Sequence, residues 1–569
     1  MAKIKPRRAF SKELLSGFGG LGARESVSGG WAADMRNFRI CSDGALEKRS
    51  GWLLKREFTD PIRAVWKGTV HGEELNLAVC ATVIFRFTDA QCTVVGRVSD
   101  ASGRLTFFRL GTELYLTDRS GPLMWNPDTG GFEAVVAYAP LYGHNWHPTS
   151  YGDVNEPLNL LSSSLRIHYF NTNGSTAFSL PFFAESIDHV RVDNREVTEY
   201  SLNGGGDTLT VPSASTAATV EVAYTMAYAP ELAEQAKACR RCYVDRRDGE
   251  ERLFFYGAPQ GYRVFPACSV SDSMKNYCRV FYPKAEPLYL RQEDLLNIGD
   301  AKDTVQTLCR QYDRLLAFCA DSVWSVFDDD EVGTDAVPVL SGFGCSGADA
   351  VATDEKGILV FYKCGLYRLY STSGNPDDFR LTCLSKPIAE RLSVGSQTEA
   401  CIWVDPMQHE VWVRRVGEGA GDVWIWNADT EQWYCFDGIY ADFFLSWGDA
   451  VGFASDKQLC LFDSTLSTDN GQPFSAYYQS GYLSFSSPET LKRALRIALC
   501  ATPKGNTLHL LVETEQTARE FQLAGKSIDA PQVFDRRMAP GRFRFLRFRI
   551  GVTGQVSPRI HNLALYSHL

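Results

Sequence analysis

The sequence predicts an all-β protein: a β-propeller of about five to seven blades with an inserted small β-sandwich module and a C-terminal β-sandwich. Three observations carry this. Short runs rich in Val, Ile, Phe, Tyr and Trp are broken at close intervals by Gly, Asp, Asn and Ser, which is the pattern of strands and tight turns. Amphipathic helical spacing is scarce, residues 229–243 (APELAEQAKACRRCY) being the best case. One unit also recurs: an apolar strand, a small polar turn, a second strand with aromatics, and often an Asp/Asn-rich turn. It stands at 105–135, 314–331, 357–379, 409–438 and 449–463, and 62–89 fits it too. Starts lie roughly 40–50 residues apart where nothing intervenes, a spacing that suits four-stranded blades.

Taken in order, residues 1–60 form an N-terminal arm and hairpin, part of a docking platform. In MRNFRICSDGALEKRSGW (35–52) two apolar runs flank Ser42-Asp43-Gly44, a hairpin signal because Gly accepts the positive φ such turns need. Phe38, Ile40 and Leu46 are offered to a core, and Arg39, Lys48 and Arg49 to partners. Residues 61–150 are the first blades. The stretch 151–228 has alternating strands with Asn-Gly and Gly-Gly-Gly-Asp turns, as in a small inserted sandwich. Residues 229–470 hold the remaining blades and 471–569 the C-terminal sandwich. There, GRFRFLRFRI changes the parity of its apolar residues at Phe545-Leu546, which predicts a β-bulge with arginines facing outward on both sides.

Length and composition set bounds. A chain of 569 residues, 44% hydrophobic, exceeds one core and supports about two to four domains. No apolar run approaches the ~18–20 residues that span a bilayer. The basic start MAKIKPRRAFSKELL lacks the apolar stretch of a signal peptide, so the expectation is a protein made and used without secretion. Several of the sixteen cysteines, Cys80, Cys319, Cys383, Cys435, Cys460 and Cys500 among them, lie in apolar strand-like runs. Thiols in such settings behave as small core hydrophobes and stay reduced in a cytosolic protein. Cys239 and Cys242 have CxxC spacing but no second pair, so helix packing is expected rather than zinc.

Charge is uneven. Residues 1–60 carry 12 Lys/Arg against 7 Asp/Glu, residues 480–569 carry 13 against 6, and residues 61–479 carry 33 against 55. The ends and the middle thus face different surroundings, or surface charge simply wanders between domains.

No constellation announces catalysis. SGFGGLGAR (16–24) lacks a preceding strand and a following Lys-Ser/Thr, so it reads as a loop rather than a phosphate cradle. GHNWH (143–147) has two histidines three apart and no acidic ligand beside them; it reads as a loop with an aromatic anchor. Asp328-Asp329-Asp330-Glu331 lacks the alternating ligand spacing of a calcium loop and reads as a solvated turn. Ser467 to Phe474 (STDNGQPF) resembles the Asp-box turn of sialidase propellers with Pro-Phe in place of Thr-Trp, and it occurs once. No residue is assigned as catalytic, cofactor-binding or metal-ligating.

Several stretches together resemble one family. ADMRNFRICSDGALEKRSGW (33–52) is similar to the opening hairpin of tail nozzle or hub proteins of short-tailed bacteriophages. Residues 155–170, 252–326 and 342–371 resemble what precedes the insertion and the central blades of that group, and RFRFLRFRIGVTGQVSPRIHNLALYSHL resembles its closing strands. The resemblance implies a non-enzymatic virion structural protein, located in the tail and assembled in host cytoplasm. It would form a ring, usually a hexamer, below the portal and adaptor, extending or closing the DNA channel for genome retention and ejection. Partners would be further copies of itself, portal and adaptor proteins, tail fibre or spike proteins, and double-stranded DNA passing without sequence recognition. The inserted module aligns with no tip or gate element of the family, and the connector position of a longer-tailed phage is equally open.

On this reading an acidic middle suits a channel wall that repels phosphates, and basic ends dock by complementary charge. The candidate assembly residues are Arg39, Lys48, Arg49, Arg542, Arg544, Arg547 and Arg549. Two alternatives stand beside it: a propeller glycosidase acting on host-surface glycans, and a propeller scaffold that binds a protein.

Overall fold

The computed structural model describes residues 10–568 apart from 23–30, 146–151, 163, 228–231, 248, 259–260, 262, 268–284, 287, 313, 330–332, 372–378, 394–398, 417–420, 485–487 and 539–541. The chain divides into two compact units, Met1–Ile62 with Cys345–Leu569, and Arg63–Gly344. Both are all-β. Among the described residues no helix is long and apolar enough to cross a membrane.

The unit Arg63–Gly344 contains four four-stranded sheets whose strands pair in chain order. They run from Ile62–Val70 to Cys92–Arg97, from Phe107–Leu110 to Gly131–Ala134, from Arg241–Arg247 to Leu296–Asn297, and from Val305–Gln311 to Gly333–Ser341. Tight turns make this possible. At His71-Gly72 both residues have positive φ (49° and 81°), the conformation whose twist matches that of paired strands. Consecutive sheets share cores: Leu77, Val79 and Ile84 pack with Leu114, Leu116 and Trp125, and Phe254 and Val264 with Leu308 and Leu315. Each such side chain taken from water contributes about 1.5–3 kcal/mol.

The inserted module follows the second of these sheets. Its main sheet has six strands, ordered Val154–Asn155, Leu141–Gly143, Leu165–Asn171, Thr219–Met226, Ala184–Val192, Arg195–Val197. A second sheet joins Ala177–Ser179, Thr208–Thr210 and Ser201–Leu202. Residues of both close on one core that includes Phe178, Val190, Leu209, Val220, Val222 and Tyr224. The expected helix over 229–243 is shorter, Ala233–Lys237, because the chain is already a strand by Arg241.

The unit Met1–Ile62 with Cys345–Leu569 holds two more four-stranded sheets, from Val351–Asp354 to Phe379–Cys383 and from Ala400–Asp405 to Gln432–Phe436. Inner strands Gly357–Tyr362, Glu410–Arg415 and Val423–Asn427 are buried at every position, which requires cover on both faces. A third sheet, Phe443–Trp447, Ala450–Ser455 and Gln458–Asp463, takes Gly51–Glu57 as its fourth strand, with Phe462 opposite Trp52 and Asp463 opposite Gly51. The first strands of these three sheets lie side by side.

Thr468–Asp469 and Gln472–Pro473 extend that third sheet beyond Gly51–Glu57, and the other described strands of this unit form two sheets. One is ordered Phe38–Ile40, Leu46–Lys48, Arg559–His568, Arg493–Thr502, Gln532–Arg537, with Phe10–Leu15 also paired to Arg559–His568. The other is ordered Ala32–Arg36, Ser475–Ser480, Leu546–Thr553, Thr507–Thr514, Ala518–Ala524. Strands from both ends of the chain are therefore neighbours.

The bulge expected at Phe545-Leu546 is absent. Leu546–Thr553 pairs with both neighbours without a register shift. Buried Phe543 instead bridges to Lys492, at the edge of the first sheet, while Leu546 opens a strand of the second. The parity change marks the chain crossing between sheets, where the inward direction reverses.

Gly51 shows how closely the third sheet is packed. A Cβ there would lie 1.8 Å from the Thr468 carbonyl oxygen. Gly51→Ala is expected to lower stability by about 2–3 kcal/mol through forced backbone displacement, read as a drop in the thermal transition with the all-β circular dichroism retained.

Candidate functional site

The hairpin forms as expected. Phe38–Ile40 pairs with Leu46–Lys48, Gly44 has φ 77°, and Phe38, Ile40 and Leu46 are buried. The Cys41 N–H donates to Ala45 O, and Arg559 Nη2 donates to Asp43 Oδ2 at 2.7 Å, holding the turn to the last strand.

Its basic residues are not displayed as expected. Lys48 and Arg49 are 2% and 1% exposed, so they are internal groups of the chain and not a docking face. Arg49 uses all five of its donors. Nη1 and Nη2 grip the Asp469 carboxylate at 2.8 and 2.6 Å, Nε donates to Asn37 Oδ1 at 2.9 Å, and the backbone oxygens of Ser50 and Asp437 take the other two. Asn37, at φ 56°, donates in turn to Asp437 Oδ1 and Ser475 O. Lys48 Nζ donates to Ser467 O and Gly554 O at 3.0 and 2.7 Å. Phe474 receives both cations at 3.9 Å from its ring centre, a geometry in which the ring quadrupole attracts them.

The stretch that resembles an Asp box thus has a structural job. Asp469 anchors Arg49, Asn470-Gly471 form a turn of positive φ (47° and 81°) between Thr468–Asp469 and Gln472–Pro473, and Phe474 stacks on the cations.

Arg39 meets another acid. Its Nε lies 2.6 Å from Glu410 Oε1 and its Nη2 donates to Oε2 at 3.0 Å. Glu410 is fully buried and also accepts from Tyr434 Oη and Trp412 Nε1. Burial pushes the Glu410 carboxyl up, and Arg39 with the two donors pulls it back. Arg36 completes the series with Asp422 at 2.5 Å. Three cations of the N-terminal segment each neutralise an acid of the middle segment.

The C-terminal arginines divide into two pairs. Arg547 Nε donates to Glu513 Oε2 at 2.6 Å and stacks on Tyr482, and Arg549 lies over Tyr477 at 3.8 Å; both are half-buried. Arg542 and Arg544 are exposed. Of the seven candidate residues, these two present their charge outward.

The other motifs find places as well. SGFGGLGAR does follow a strand, Phe10–Leu15, contrary to expectation. Of its residues, 16–22 are described: Leu21 N–H donates to Trp433 O, and a Cβ on Gly20 would lie 2.6 Å from that oxygen, so the glycine permits close backbone approach. Trp146 and His147 of GHNWH, and Asp330 and Glu331 of the acidic cluster, lie outside the described residues. Cys239 and Cys242 are buried in one apolar cluster. Burial pushes the Cys309, Cys319 and Cys460 thiols up to about 12, far from the thiolate that reactivity requires. Among the described residues no group of three or more His, Cys, Asp or Glu is placed to hold a metal ion.

No family model and no curated protein matches the chain. Solved structures match at low similarity. The extracellular domain of a one-component system protein from B. thetaiotaomicron has 9% identity and a TM-score of 0.38 over 90% of this chain, which spans 61% of that one. The WD40 domain of SCAP from fission yeast has 8% identity and a TM-score of 0.30, covering 73% of this chain and 94% of that one. A glycoside hydrolase has 11% identity and a TM-score of 0.19, covering 89% and 98%. Scores this low carry no argument about function.

Two predictions follow from the buried cations. Replacing both Lys48 and Arg49 by Glu leaves Asp469 facing like charge in a dry site, a loss of more than about 3–5 kcal/mol; the variant is expected in the insoluble fraction, while Arg542→Glu with Arg544→Glu folds normally. Second, burial and then the neighbouring Arg49 lower the Lys48 ammonium from 10.5 to about 8. Between those values the unfolded chain binds more protons at this site than the folded one, so stability from this group rises with pH. The stability of the native protein relative to Lys48→Met should therefore be flat below pH 8 and increase towards pH 10.5, measured by urea unfolding across that range.

Proposed function

We propose that the protein is a non-enzymatic structural subunit of a bacteriophage tail, which assembles into a ring, most simply a hexamer, below the portal and adaptor. The observation that carries this reading is the hairpin. Asn37, Phe38, Ile40, Gly44, Leu46, Lys48, Arg49 and Gly51 are the residues through which 33–52 resembles tail nozzle and hub proteins. Each has a definite task in the junction described above: core, turn, buried ion pair or close approach. The resemblance therefore lies in a physical unit, not in scattered matches.

The architecture supports it. Among the described residues, the four four-stranded sheets running from Ile62 to Ser341 with their shared cores, and the three sheets of the other unit with their first strands side by side, are what propeller blades would supply. Gly51–Glu57 would complete the last blade. The inserted module and the two terminal sheets would be the sandwiches.

In this assembly the middle segment would form a channel wall along which DNA slides, since carboxylates repel phosphates, and the exposed Arg542 and Arg544 would meet an acidic adaptor. Mass photometry of the chain alone and mixed with a phage portal–adaptor complex tests the proposal. A hexamer, free or on the adaptor, is expected, and Arg542→Glu with Arg544→Glu should weaken adaptor binding about tenfold at low salt. A monomer at every concentration with no affinity for the complex would overturn it.

A further inference from the structure

The inserted module contains a cavity that the ring reading does not use. It measures about 720 Å³ and takes its walls from both sheets of the module, within the roughly 300–1,000 Å³ range of small-ligand sites. Strand alternation builds it. Along Leu165–Asn171, Ile167 and Tyr169 point to one core, while His168 and Phe170 line the cavity on the other face. Tyr142 is paired beside His168, and Phe178 comes from the smaller sheet.

The four rings follow one another closely. Tyr142 and His168 meet edge-on at 4.7 Å, His168 and Phe170 lie 3.9 Å apart, and Phe170 and Phe178 5.1 Å apart. Around this aromatic floor the lining is amide and hydroxyl: Asn145, Asn171, Asn173, Ser175 and Ser179 are exposed at the rim. Asn171 Nδ2 donates to Asn145 O at 2.8 Å and Ser175 Oγ to Ala177 O at 2.8 Å, which fixes the two sides of the rim. Asp, Glu, Lys and Arg are absent from the described lining, and His144 lies 3.1 Å from Asp153 Oδ1.

His168 supplies a second, independent sign. The residue is 3% exposed, and its Nδ1 is buried without a hydrogen-bond partner. Burial and then the adjacent Arg166 lower its pKa to about 3, so the ring is a neutral imidazole. A position needed only for packing is filled by Phe or Leu without leaving a polar nitrogen unpaired.

We infer that this cavity binds a neutral saccharide, a short stretch of glycan chain. Aromatic faces pack against the C–H faces of sugar rings. Neutral imidazole, amide and hydroxyl groups can each donate or accept with sugar hydroxyls. The absence of an uncompensated charge in the described lining disfavours an anionic ligand.

The test uses the full chain and saturation-transfer NMR with neutral hexasaccharides of gluco, manno and galacto configuration, and oligogalacturonate as the charged probe. At least one neutral hexasaccharide is expected to bind at millimolar concentration or better. His168→Phe, which keeps a ring and removes the nitrogens, should weaken it about tenfold with the thermal transition unchanged. Tyr142→Ala, at a half-buried position of the lining, should do the same and carries the test if the first variant does not fold. Failure of all three neutral probes, preference for oligogalacturonate, or binding untouched by either variant would overturn the inference. Binding is read on the chain alone, so its failure is separate from failure of the ring.

Discussion

The bidentate grip of Arg49 on Asp469 is the constraint on which the N-terminal junction depends. A guanidinium taken out of water is tolerated only when its donors are met, and here they are met by five oxygens on four residues. Asn37 belongs to the hairpin, Asp437 follows the strand Gln432–Phe436, Asp469 opens the small turn, and Ser50 precedes the strand that completes a sheet. No one of these can shift by a residue without stranding a buried charge. The ion pair therefore acts as a register pin, and the hydrophobic faces around it supply the bulk of the driving force.

This also explains the uneven charge. A basic N-terminus and an acidic middle read as two surfaces meant for different neighbours, but part of the contrast is consumed inside the chain. Arg36, Arg39 and Arg49 take up Asp422, Glu410 and Asp469. Segment totals count charges without saying which ones are already paired, so the acidity left for a partner or a passing polyanion is smaller than the composition suggests.

Local pattern was readable and long-range partnership was not. The hairpin, the recurring four-stranded units and the inserted module all follow from alternation and turn chemistry within a few residues. The outward display of Lys48 and Arg49 did not hold, because burying them depends on Asp469, 420 residues away. Phe545-Leu546 had the correct observation and the wrong cause: a reversal of parity signals a change of inward direction, and a crossing between sheets makes one as readily as a bulge. The strand Gly51–Glu57 gave no sign that it completes a sheet begun at Phe443. For the aromatic cavity a signal did exist. His168 occupies an inward position of the apolar run LRIHYF, where an unpaired imidazole is out of place.

The interweaving of the two ends has a consequence for how the protein is made. Strands at Phe10–Leu15, Ala32–Arg36, Leu46–Lys48 and Gly51–Glu57 find partners in segments between Gln458 and His568. They are synthesised well before these partners and wait for them, since such distant closures come late. A polypeptide that stops short leaves those strands, and the cations among them, without partners. The junction thus works as a check on synthesis: these sheets can be built only by chains translated through Arg559–His568.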